Sequence, residues 1–154
     1  MSTSTSIQYI SDGKDARDSS LVSVESFRFT GEIEAGDVVS FNSDIADLIE
    51  RLQTVIRLDH LNDISVSGLV GVAMESSADA VAESRSTIKV AVKGYVPSCR
   101  VAAAVDEGDY LVASTAAQST LMTLVDADAQ DVVAVALADA DGGYAPVLLK
   151  GRFV

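Results

Sequence analysis

Three blocks of this sequence recur in the same order, and that repetition limits the fold more than any other feature. Ile33-Glu34-Ala35-Gly36-Asp37-Val38-Val39 returns as Val105-Asp106-Glu107-Gly108-Asp109-Tyr110-Leu111, Val70-Gly71-Val72-Ala73-Met74 as Val133-Ala134-Val135-Ala136-Leu137, and Val92-Lys93-Gly94 as Leu149-Lys150-Gly151. Gly36 and Gly108 stand 72 residues apart, Gly71 and Ala134 63, and Gly94 and Gly151 57. A spacing that shrinks while the blocks persist implies longer connections in the first copy, because loops vary and strands stay. The repeated positions are turn glycines and apolar strand residues, so the duplication describes a scaffold: one β unit at about 31–96 and a second at about 105–154.

At 154 residues the chain is long enough to bury a core without metal or disulfide staples, and a single β domain over 21–154 is expected. The apolar residues are mostly Ala, Val, Leu and Ile, with no Trp, so the interior should be aliphatic. Residues 1–20 are Ser, Thr, Asp and Gly-rich and read as a flexible N-terminal arm that cannot bury enough apolar surface to order itself. Its one structured hint, Ile7-Gln8-Tyr9, could add to a neighbouring sheet edge.

The pattern predicts strands over 21–30, 38–41, 64–74, 87–96, 99–105, 110–113, 120–125, 131–138 and 144–154. Closely spaced strands with turn residues between them indicate a compact β-sandwich or barrel. In the first strand Val22 and Val24 are in one phase and Phe27 and Phe29 in the other, which implies a bulge or bend. Asp139-Ala140-Asp141-Gly142-Gly143 signals a tight hairpin, since Asp and Gly tolerate positive φ. One stretch breaks the pattern: Ile45, Leu48, Ile49, Leu52, Val55 and Ile56 follow helical spacing, which predicts an amphipathic helix over about 43–60, capped by Asn42 or Ser43 and inserted in the first copy. Such a helix either covers an open end of the core or serves for docking.

The formal charge of −12 repels phosphate backbones and anionic lipid, so neither nucleic acid nor membrane is an expected partner. No apolar run is long enough for a membrane-spanning helix, and Met1-Ser2-Thr3-Ser4-Thr5-Ser6 has no secretion-signal pattern. The single cysteine, Cys99, excludes an internal disulfide, and with the single His60 it is too little for a zinc site. Asp126, Asp128 and Asp131, and separately Asp139 and Asp141, lack EF-hand order and read as solvated turn carboxylates. No phosphate-binding glycine loop and no Gly-x-Ser-x-Gly elbow is present. Neither a catalytic residue, a cofactor nor a metal is expected, and the chain does not read as an enzyme.

From Phe27 to the C-terminus the ordered set of blocks resembles a family of tailed-bacteriophage capsid decoration, or cement, proteins. The blocks are 30–39 (Thr30-Gly31-Glu32-Ile33 into Gly36-Asp37-Val38-Val39), Gly68-Leu69-Val70-Gly71-Val72-Ala73-Met74, 88–96, Glu107-Gly108-Asp109-Tyr110-Leu111-Val112 and Val133-Ala134-Val135-Ala136-Leu137. The resemblance implies a non-enzymatic virion protein, made in the host cytoplasm, that binds the outer surface of a mature icosahedral shell and stabilises it. It implies the major capsid protein as partner and a homotrimer as the binding form. On this reading the arm, through Ile7, Tyr9 and Ile10, and the lower loops touch the capsid, and the helix lies in the core or at the trimer contact. The helix and the arm depart from the plain family pattern. A second reading is the β module of a phage tail or head fibre, whose strand order is similar to the second half of this chain.

Overall fold

The computed structural model describes residues 22–58, 69–114, 119–123 and 132–150. The chain forms β1 (Val22–Phe29), β2 (Val38–Phe41), α1 (Leu48–Arg51), β3 (Thr54–Arg57), β4 (Leu69–Ala73), α2 (Ser77–Ala82), β5 (Thr87–Arg100), β6 (Tyr110–Ala113), β7 (Leu121–Thr123), β8 (Ala134–Ala136) and β9 (Tyr144–Leu149). The protein is mainly β, as its pattern requires. Among the described residues the nine strands join one sheet in the order β1-β3-β2-β4-β5-β9-β8-β6-β7. Pairing of β1 with β5 closes the first five into a barrel and leaves β9, β8, β6 and β7 as an extension.

The duplication is visible strand by strand. The stretch β3-β2-β4-β5-β9-β8-β6-β7 reads as a palindrome of equivalent strands, and the registers agree residue by residue. Val38↔Val72 is matched by Tyr110↔Val135, Val72↔Ala91 by Val135↔Leu148, and Phe41↔Val55 by Ala113↔Leu121. The turns match as well. The N–H of Glu34 donates to Oδ2 of Asp37 at 2.9 Å, and that of Asp106 to Oδ2 of Asp109 at 2.9 Å. Gly36 N–H donates to Ala73 O, and Gly108 N–H to Ala136 O, both at 2.8 Å. The φ angles of Gly36 and Gly108, +94° and +88°, are ones that L side chains rarely adopt, so glycine is required at the third position of both turns.

Two interiors result. Inside the barrel, Ile33, Val39, Val55, Val70, Ile88 and Val90 pack with Phe27, Phe29 and Phe41, and the Phe27 and Phe41 rings meet edge to face at 6.3 Å. The outer barrel face, with Val38, Val72, Ala91 and Cys99, packs against Leu111, Ala134, Ala136, Val147 and Leu149 of the second unit. The chain therefore combines a barrel with a sandwich-like second layer. A register shift at Ser23/Val24 against β5 is the irregularity that the phase slip of the first strand implies. Asp141 and Tyr144 exchange both backbone hydrogen bonds around Gly142 and Gly143, with φ +62° and +85°, which is the tight hairpin expected there.

The helix expected over 43–60 is corrected to one turn. Among the described residues of that stretch only Leu48–Arg51 is helical, and Thr54–Arg57 is a strand. Its cap is Asp47, which accepts from the N–H groups of Ile49 and Glu50, whereas the Asn42 side chain accepts from Asp44 N–H in a local turn. The reason is competition: Thr54, Val55 and Ile56 are β-branched, and as β3 they pair with β1 on one side and β2 on the other, which closes the barrel and buries Val55 completely. A second helix, α2, was absent from the sequence expectations. It is capped by Ser76 and held by Ser77, whose Oγ accepts from Ile33 N–H at 2.9 Å and whose own N–H donates to Ile33 O. Strands expected separately at 87–96 and 99–105 are one strand to Arg100, which passes Pro97 at a register irregularity between Val96 and Cys99, where no ladder donor is needed. The expected arm, 1–20, lies outside the described residues. Among the described residues no helix is long and apolar enough to cross a membrane.

Candidate functional site

Among the described residues, a buried ionic cluster is built on the first repeated turn. Asp37 is fully buried. Its Oδ2 accepts from Glu34 N–H and lies 3.2 Å from Arg57 Nε, and its Oδ1 lies 3.1 Å from Arg100 Nε. The Arg100 contact is close but not aligned for a hydrogen bond, so it acts as a charge contact. Arg57 Nε donates instead to Ser119 Oγ at 3.0 Å. Arg100 NH2 donates to Glu34 Oε2 at 3.1 Å and to Tyr144 Oη at 3.2 Å, with the guanidinium carbon 5.7 Å from the Tyr144 ring centroid. Burial works against the Arg100 charge, but Asp37, Tyr144 and Glu34 outweigh it and raise its pKa above the usual guanidinium value.

The cluster spans both units. Asp37, Arg57 and Arg100 come from the first, Ser119 and Tyr144 from the second, and a Cβ on Gly36 would meet Tyr144 Cε1 at 3.0 Å. Its geometry suits a fixed joint: every charged group in it already faces a partner within the protein.

Cys99 lies in the same layer, completely buried, and its thiol is pushed up to about 12 by burial and then by the charge of Asp37. A thiol with a raised folded pKa favours the native state at pH values below its unfolded value, about 8.5, and that contribution is lost as pH rises from there towards about 12. Stability should therefore fall across that window in the wild type and fall less in Cys99→Ala. A thiol reagent at pH 8 should label Cys99 only as fast as the protein opens, and rapid stoichiometric labelling of the native protein would contradict this.

The second feature is apolar and exposed. Leu48, Ile49 and Leu52 on and beside α1 are 62%, 71% and 51% exposed. The apolar stripe expected on one helix face, whether for covering the core or for docking, divides in the structure: Val55 enters the barrel, while these three face solvent at the tip of the β2–β3 connection. That connection is six residues longer than its counterpart between β6 and β7, as Phe41↔Val55 and Ala113↔Leu121 show. The β4–β5 connection, which holds α2, is also six longer than that between β8 and β9. Both helices are thus additions to the repeated frame.

Ile7, Tyr9 and Ile10, the capsid-contact candidates, lie outside the described residues, as do His60, Asp126, Asp128 and Asp131. Asp139 accepts from Glu107 N–H at 2.8 Å, tying the second repeated turn to the hairpin. Among the described residues, no group of three or more His, Cys, Asp or Glu is placed to hold a metal ion. Sequence reasoning missed the roles of Arg57, Arg100 and Tyr144, because partners of Asp37 that are remote in sequence leave no local pattern. No protein-family model matches this chain, and a search of curated proteins finds no match.

Proposed function

We propose that this chain is a tailed-phage capsid decoration protein, a non-enzymatic homo-oligomer, with a trimer as the expected form, that binds the major capsid protein on the outside of the mature shell. The observation that carries this reading is the apolar tip Leu48-Ile49-Leu52, set on an insertion outside a repeated frame whose own residues serve folding. The ordered blocks that resemble the cement family support it from the sequence side.

Burying one such side chain contributes about 1.5–3 kcal/mol, so a few shallow contacts per subunit, multiplied over the subunits of an oligomer, give tight attachment without any deep pocket. A protein that binds the expanded lattice and not its precursor stabilises the mature shell by mass action. The acidic surface keeps copies soluble at high concentration.

Purified protein should cosediment saturably with undecorated mature shells and not with unexpanded precursors. Binding to neither, or to both equally, would overturn the proposal. Replacing Leu48, Ile49 and Leu52 together by Ser should weaken shell binding by about tenfold or more, while the thermal transition stays near that of the wild type, since all three face solvent. Undiminished binding by this triple variant would remove α1 from the contact and leave the arm, with Ile7, Tyr9 and Ile10, as the place to look.

A further inference from the structure

The barrel is not zipped along the whole length of its first strand. Among the described residues β1 meets β3 only at Arg28↔Thr54 and Phe29↔Val55. The ladder stops there because Gln53 N–H turns back to Glu50 O in the last turn of α1 instead of continuing along β1. Before Arg28, β1 is paired on one side, by β5. The alternation of the strand decides which groups are left over. Arg28 N–H donates to Gln53 O and Thr30 N–H to Val55 O, so even-numbered residues aim their N–H and C=O groups towards β3 and odd-numbered ones towards β5. Val24 and Ser26 therefore each present an N–H and a C=O on the open side, where no strand among the described residues pairs with them.

The edge is accessible and lightly guarded. Ser23, Val24, Glu25 and Ser26 are all exposed. Native edges are commonly protected by proline, by a bulge or by charged side chains. Here the bulge lies on the paired side, in β5, and Glu25 is the one charge among the four. The other wall of the gap is the α1 tip: exposed Leu52 comes just before Gln53, whose carbonyl holds Arg28, so it stands at the level of the open edge.

We propose that β1 accepts an added strand, an extended segment of the major capsid protein laid along Val24 and Ser26. This rests on the decoration reading and deepens it, since the shell that covers the α1 tip also supplies the strand beside it. An alternating row of backbone donors and acceptors is satisfied by extended backbone, which a helix or a merely apolar surface does not offer. Charge bears on the source. The exposed carboxylates Glu25, Asp47 and Glu50 outnumber Arg28 and Arg51 around the gap, and among the described residues none of these three carboxylates enters an ion pair. A strand from another copy of this chain, with its net charge of −12, is repelled there, whereas a segment carrying Lys or Arg beside an apolar residue for Leu52 is attracted.

The test is hydrogen exchange across residues 22–29 of the full chain, free and bound to undecorated mature shells. In the free protein the amides of Val24 and Ser26 should exchange as open amides while those of Glu25 and Phe27, which face β5, are protected. On the shell, Val24 and Ser26 should slow by about tenfold or more. Ser26→Pro removes a donor on the open side and leaves the β5 ladder intact, so it should weaken shell binding by about tenfold or more at a near-normal thermal transition. If that variant unfolds, exchange in the wild type decides. A chain that binds the shell with exchange at Val24 and Ser26 unchanged would overturn the added strand and leave the decoration reading standing. Protection of both amides already in the free chain would overturn it too, because the edge would then be occupied by the chain's own residues. A chain that binds no shell would overturn both readings.

Discussion

Replacing Asp37 by alanine is expected to lower stability by about 3 kcal/mol, a shift of roughly 6–12 °C in the thermal midpoint for a chain of this size. The carboxylate is fully buried and faces two guanidinium groups while accepting the turn N–H of Glu34. Its removal leaves two cations facing each other across a cavity and an unmet backbone donor. Removing one partner of a buried pair costs about 3–5 kcal/mol, and the lower end applies here because Arg57 and Arg100 keep some access to water. The control lies in the other copy. Asp109 accepts the same turn hydrogen bond but is half-exposed, so Asp109→Ala should cost about 1 kcal/mol. Equal losses at the two positions, measured by urea unfolding, would contradict the larger cost expected for the buried carboxylate between two guanidinium groups.

Gly71→Ala should be severely destabilising for so small a change. A Cβ there would sit 2.0 Å from the carbonyl oxygen of Ala91 and 2.9 Å from its carbonyl carbon, both backbone atoms that no rotamer change can move. The pinch has a cause. Ser23 and Val24 face Lys93 and Ala91, so Val92 is the extra residue of a bulge on β5, and the strand presses on β4 just there. Overpacking of a core typically costs 1–3 kcal/mol, and forcing two barrel strands apart should reach about 3 kcal/mol or more. The equivalent residue, Ala134, carries a Cβ in a fully buried place, which shows that the demand for glycine comes from the bulge and not from the repeat. Accordingly Ala134→Gly should cost only about 1 kcal/mol. A Gly71→Ala protein with a wild-type thermal midpoint would contradict this account of the barrel.

The sequence made the frame legible because its signals are local. Spacings of 72 residues at Gly36/Gly108 and 63 at Gly71/Ala134 recur as matched registers, and the Asp-Gly hairpin forms where its composition requires. What stayed hidden depends on contacts remote in sequence. The Ile45-to-Ile56 periodicity satisfies a helix equally well until β1 and β2 are brought to either side of residues 54–57, and then ladder bonds and barrel burial decide against it. The strands expected at 87–96 and 99–105 are one because Pro97 sits at the irregularity opposite β9, a contact remote in sequence. The Asp37 joint was invisible for the same reason: its arginines are 20 and 63 residues away and belong to no repeated block. Exposure of Leu48, Ile49 and Leu52 follows from the shortened helix: with residues 54–57 in the sheet, only part of the expected stripe is left to be buried.

The most direct measurement on the central proposal is the temperature at which an undecorated mature shell opens as this protein is titrated onto it. Attachment to the mature lattice alone predicts that the opening temperature rises with protein concentration and levels off when the shell sites are filled. An opening temperature that stays constant at saturating protein would contradict the proposal that this chain is a shell-stabilising protein.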